Sequence, residues 1–196
     1  MASQNMGIGV LGDSTAQFKR KFRWTFQLST PCGDIPEQIV KVANRPSLTI
    51  EETEINYLHG KMWIPGKASW ETLSVTYYDV VNAGGAKGDI SNLYNWMSTV
   101  YNFNATDGNV TMSSVKGTGA TGSGYAGTGT LTMYDGCGKS METWKLDHVW
   151  PQSINFGDLD YSSSEESNVE LTLRYSKATY SNQCGTPVKG CGCVGC

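Results

Sequence analysis

Phe22-Arg23-Trp24-Thr25-Phe26-Gln27-Leu28 alternates a large apolar residue with a polar one at every position. Successive side chains on a strand point to opposite faces, so this stretch reads as a half-buried β-strand with one apolar and one polar face. The same period of two returns around Leu73, Val75 and Tyr77, downstream of Trp70, and most regularly in Val169-Glu-Leu-Thr-Leu-Arg-Tyr175. Shorter strands are expected at Ile39–Val42, Leu48–Glu51, Leu131–Met133 and Thr143–Val149. Pro31, Gly33 and Pro36 mark a turn after the first strand, and Gly84, Gly85 and Gly88 end the strand that contains Val75.

One segment breaks this period. Ile90, Leu93, Tyr94, Met97, Val100 and Tyr101 recur at helical spacing behind Asp89, a good N-cap, and predict one amphipathic helix over residues 89–103. The expected fold is therefore mainly β, a two-sheet β-sandwich or barrel carrying one helix. With 196 residues the chain is long enough for one domain with a sizeable core. Its 23 glycines and 11% aromatic content suit a β-dominated fold.

Residues 1–18 are small, polar and Gly-containing and read as a flexible arm ahead of a β-domain over 19–180. Residues 117–129 hold Gly117, Gly119, Gly122, Gly124, Gly127 and Gly129 among Thr, Ser and Ala, and are expected to form a loop. Residues 181–196 form a Cys- and Gly-rich tail. Residues 56–67, Asn-Tyr-Leu-His-Gly-Lys-Met-Trp-Ile-Pro-Gly-Lys, set large apolar side chains beside Gly60, Pro65 and Gly66. That mixture suits either a protruding loop whose Tyr57, Leu58, Met62, Trp63 and Ile64 contact another subunit, or a loop folded back on its own core.

Function classes narrow quickly. The net charge is −3 and basic residues cluster only at Lys19, Arg20, Lys21 and Arg23, so no broad phosphate-binding footprint is present. The first residues lack the basic start and apolar run of a signal peptide, no stretch is long enough to span a membrane as a helix, and a cytoplasmic site of synthesis is expected. The glycine run is not followed by a helix or by a Walker lysine, so it does not read as a phosphate loop. With only His59 and His148, and Asp147 on the opposite strand face from its neighbour His148, no nucleophile, base and orienter converge. The expectation is a protein that is not an enzyme and needs no cofactor. Cys184, Cys191, Cys193 and Cys196 are spaced C-x6-C-x-C-x2-C, which lacks the paired knuckle of a zinc module. Zinc, late-formed disulfides and a plain tail all stay open for them, with no metal as the leading reading.

Trp144-Lys-Leu-Asp-His-Val-Trp-Pro151, then Ile154-Asn-Phe-Gly-Asp-Leu-Asp-Tyr161, then the Val169 strand resembles the C-terminal half of the tail tube proteins of contractile-tailed phages. In that family a strand ends in a Trp-Pro corner, and a short Gly-x-Leu segment and a final alternating strand follow. The aromatic strand at Phe22, the Trp70-x-x-Leu73-x-Val75-x-Tyr77 strand and the helix also match, so the resemblance spans about residues 20–180. It implies hexameric rings with a continuous β-barrel lumen, stacked into a tube through which DNA passes without specific binding. Implied partners are further copies of the chain and the tail sheath, baseplate and terminator proteins, in a virion assembled in the host cytoplasm. The inner tubes of type VI secretion and extracellular injection systems are similar. The long Gly-rich loop and the Cys-rich tail depart from the family pattern. A monomeric carbohydrate-binding β-sandwich, with Trp63 and Tyr57 stacking on sugars, is the reading from a different class.

Overall fold

The computed structural model describes residues 19–80, 91–101, 124–135 and 137–182. The N-terminal arm, the Asp89 cap with Ile90, most of the Gly-rich loop and the four tail cysteines lie outside the described residues. The strands are β1 (Trp24–Thr30), β2 (Gly33–Ile35), β3 (Val40–Ala43), β4 (Leu48–Tyr57), β5 (Gly60–Trp70), β6 (Leu73–Tyr78), β7 (Gly127–Tyr134), β8 (Ser140–Asn155), β9 (Asn168–Arg174) and β10 (Lys177–Asn182), with one helix, α1 (Ser91–Val100).

Eight strands form one antiparallel ladder in the order β2-β1-β7-β8-β9-β6-β3, with β10 also paired to β8. Its long member, β8, decides the architecture. The first part of β8 lies between β7 and β10, and its last six residues, from Trp150 to Asn155, pair with β9. The change of neighbour falls at His148, one of two non-glycine residues among those described with positive φ, here 56°. The amide of Ser176 donates to the Asp147 carbonyl (3.1 Å) where β9 gives way to β10, so both strands bend together. The bend folds the ladder over, and both halves then share one core. Phe26, Leu28, Leu131 and Leu146 come from one half, and Leu73, Val75, Tyr77, Leu171 and Leu173 from the other. This is the expected two-sheet sandwich.

Four expectations need correction. Phe22 precedes β1 and is largely exposed, with Arg23 over its ring, so the first strand starts at Trp24. Gly127 and Gly129 belong to strand β7 and not to a loop. A Cβ at Gly127 would stand 2.4 Å from the Ser29 carbonyl oxygen, so glycine there permits the close approach of β1. The strand does not end at the Trp-Pro corner: Pro151 is buried inside β8 opposite Leu173, and an irregularity before Ser153 absorbs its missing donor. Finally, β10 follows the last expected strand and buries Ala178.

The helix packs its Leu93 and Trp96 into the core, both with no exposure, beside Asn92. Of the described residues of the expected stripe, Leu93 is buried, Met97 and Val100 are partly buried, and Tyr94 and Tyr101 are exposed. Trp96 can be buried because its Nε1–H donates to the Tyr125 carbonyl at 2.7 Å.

One buried carboxylate ties three segments together. Glu142, 4% exposed, accepts a hydrogen bond from Trp144 Nε1 (2.6 Å), pairs with Lys19 and lies 3.8 Å from Arg45 Nε. Burial alone pushes its pKa up; the hydrogen bonds from Lys19 and Trp144, with the positive charge of Arg45, outweigh that and hold it below the ordinary carboxylate range. A depressed folded-state pKa means that the unfolded chain binds the proton first. The contribution is therefore present above the ordinary glutamate pKa and is lost as pH falls through the lower, folded value. Glu142→Gln should be less stable than the parent at neutral pH, by about 1–3 kcal/mol. The gap should shrink toward acid pH in urea unfolding measured across that range; a gap that does not change with pH would show that the carboxylate charge contributes nothing.

Candidate assembly surface

Strands β4 and β5 stand apart from the ladder as a two-stranded hairpin. Leu58 and His59 connect them, Leu58 having φ of 50° and Tyr57 pairing with Gly60. From Ile50 to Tyr57 the arm is about 25 Å long at the usual rise of a strand. Its root is fixed: Trp70 packs on the Tyr175 ring (5.8 Å), the Glu71 amide donates to the Ser47 carbonyl (2.9 Å), and Thr49 donates to Glu71 Oε1 (2.8 Å). The protruding segment is thus longer than residues 56–67 and is built from regular strands. Pro65 and Gly66 sit at a register irregularity between Ile50 and Glu52 and do not end β5. A side chain at Gly66 would meet the Glu51 carbonyl at 3.1 Å.

The register sorts the arm into two faces. Opposed residues of an antiparallel pair share a face. Tyr57, the Ile55–Met62 pair and the Thr53–Ile64 pair therefore form one face, largely apolar. Asn56–Lys61, Glu54–Trp63 and Glu52–Pro65 form the other, where Lys61 Nζ lies 2.7 Å from Glu54 Oε1. Tyr57, Leu58, Met62, Trp63 and Ile64 are all exposed, between 40% and 86%, so none is folded back on the core. Four of them gather on the apolar face or the tip, while Trp63 lies on the charged face. Ile55, 45% exposed, completes the apolar face; sequence reasoning placed it in no element, although its spacing of two from Tyr57 was visible.

Elsewhere the histidines are dispersed. His59 lies at the hairpin tip, while His148 sits at the β8 bend, its Nε2 3.5 Å from the Tyr125 hydroxyl and its ring edge-on to that tyrosine. The second exposed apolar feature is the β8–β9 connection, where Leu159 and Tyr161 stand in solvent and Phe156 contacts Tyr94 (6.4 Å).

No protein-family profile matches the chain, and no curated protein matches it in sequence. Its fold does have solved counterparts. A chain in the six-fold symmetrised baseplate of the anti-feeding prophage superposes with a TM-score of 0.61 at 14% identity, over 86% of this chain and 98% of that one. A chain in the tube-terminating cap of the same particle gives 0.60 at 15% identity, over 89% and 99%. A chain in the extended sheath-tube complex of the extracellular contractile injection system PVC gives 0.58 at 14% identity, over 86% and 94%. The chain shares its fold with these three chains.

Proposed function

We propose that this protein is a structural ring-former, the repeating subunit of a contractile tail tube. The observation that carries the reading is the hairpin: a long arm with an apolar face that no described residue of its own chain covers, on a fold shared with a chain of an extracellular contractile injection system. A two-stranded hairpin is marginal in water, and a contiguous exposed apolar face of this kind marks a protein interface. A neighbouring copy that covers Tyr57, Leu58, Met62 and Ile64 supplies what the hairpin lacks. The six-fold symmetry of one counterpart supports hexameric rings. Among the described residues β2, β3 and β10 each pair along one edge, which leaves edges for further pairing within such a ring, a route to a shared barrel lumen.

In the phage-tail reading, stacked rings form a conduit for DNA in a virion assembled in the host cytoplasm, with sheath, baseplate and terminator proteins as partners. The inner tube of an extracellular injection or type VI secretion system is the alternative, favoured by the injection-system counterpart. Negative-stain electron microscopy of the purified protein tests the shared core of both. Rings or stacked tubes are the expected result. A species that stays monomeric at high concentration by light scattering overturns the reading and returns the chain to the sugar-binding sandwich class.

A further inference from the structure

We infer that the acidic β8–β9 loop is a second docking element, seated in the basic groove beside β1 and β3 of another copy of the chain. The inference rests on the tube reading above and adds a contact that the hairpin does not make.

The loop, residues 156–167, ends in an apolar tip: Leu159 is 90% exposed and Tyr161 fully so. Asp158, Asp160, Glu165 and Glu166 surround this tip in sequence, and residues 156–167 contain no Lys or Arg. Among the described residues none of these carboxylates is ion-paired. The amide and hydroxyl of Ser162 hold Asp160 in a turn and keep its pKa low. The loop is therefore a negatively charged collar around two unburied apolar side chains.

The groove is the inverse. It encloses about 800 Å³ over Trp24, Leu131 and Met133. Lys19, Lys21, Lys41 and Arg45 line it. Lys19 and Arg45 are engaged by Glu142, whereas Lys21 and Lys41 have no carboxylate partner among the described residues. Lys41 instead donates to Asn168 Oδ1 (3.1 Å) and lies over the Tyr78 ring. Asn168 adjoins the root of the same chain's loop, yet the loop tip stays in solvent and does not line the groove. Among the described residues, a basic rim thus surrounds an open groove over Trp24 and the nearly buried Leu131 and Met133, and an apolar tip with an acidic rim stands on the β8–β9 loop of the same molecule. Such a pair of unlike surfaces makes a head-to-tail contact that repeats from copy to copy. Opposite charges steer the copies into register.

Charge reversal tests this on the full-length protein. Two variants are made, D158K/E165K/E166K on the loop and K21E/K41E on the groove; every substituted side chain is exposed, and circular dichroism checks that each stays folded. Each variant alone should raise the protein concentration needed for rings or tubes by about tenfold or more, as expected for losing a few surface charge pairs. Mixed one to one, they should recover parental assembly, because a positive loop then meets a negative groove. A third variant, L159S/Y161S, should also assemble poorly, and the groove variant should not rescue it. Parental assembly by both charge variants alone, or no recovery on mixing, overturns the inference and leaves the tube reading standing. A parent that forms no rings or tubes overturns both. If K21E/K41E assembles normally but loses a duplex-DNA binding that the parent shows, the groove serves nucleic acid and the inference falls.

Discussion

Replacing Met62 and Ile64 together with serine leaves a folded monomer that forms neither rings nor tubes. Both side chains lie on the apolar face of the hairpin, opposite Ile55 and Thr53, and neither belongs to the core cluster. Covering each by a neighbour contributes roughly 1.5–3 kcal/mol. Losing both weakens each subunit contact by about 3–6 kcal/mol, or about two to four orders of magnitude in association. Folding draws on Phe26, Leu73, Trp96 and their neighbours instead, so the thermal midpoint of the monomer should stay near that of the parent. Light scattering and microscopy read assembly, and circular dichroism reads the fold. Unfolding of the variant would show that the hairpin face supports the monomer, and undiminished polymerisation would move the contact to the strand edges. The register adds a contrast that the bare sequence lacks. Trp63 shares the Glu54–Lys61 face, so Trp63→Ser tests a separate surface, and combining it with the Met62 and Ile64 changes shows whether both faces are covered.

Trp96→Ala should unfold the domain or bring it close to unfolding. The side chain is fully buried, the largest such residue in the core, and its removal leaves a cavity between α1 and the sheet. Large-to-small changes of an aromatic core residue cost about 3–5 kcal/mol. The Tyr125 carbonyl also loses its 2.7 Å donor, which adds about 1 kcal/mol if water does not reach it. Against a total of about 5–15 kcal/mol for a domain, that is a large share. Denaturant unfolding of Trp96→Ala and Trp96→Phe separates the two effects. Phe restores most of the volume but not the hydrogen bond, so it should recover more than half of the loss. A Trp96→Ala protein within 1 kcal/mol of the parent would mean that the helix is not docked as described.

The strand content was legible because alternation reports burial directly. Phe26 and Leu28, Leu73 to Tyr77, and Val169 to Leu173 each bury one face, and each lies in a strand of the ladder. The exposed apolar residues from Tyr57 to Ile64 were also legible as a protrusion, because Gly60, Pro65 and Gly66 interrupt a run too apolar for an ordinary loop. Whether those side chains turned inward was not legible, since composition carries no direction.

Local pattern named the buried helix face only in part: Leu93 of the expected stripe is buried, but Tyr94 and Tyr101 are exposed, and Trp96, which lay outside the stripe, is buried. Gly127 and Gly129 looked like loop residues because glycine has low strand propensity; within β7, Gly127 lies where β1 approaches too closely for a Cβ, and Gly129 sits tightly against the Leu146 side chain. The bend at His148 did leave a trace that the period-two reading passed over: Leu146 and Val149 are both buried with Asp147 and His148 between them, so the alternation slips by one residue where the strand changes partners. Periodicity is a property of one strand and its solvent, and it was readable from the chain. Partner, register and face depend on residues more than a hundred positions apart, as when Trp24 pairs with Met133 and Lys19 with Glu142, and only their meeting in space sets them.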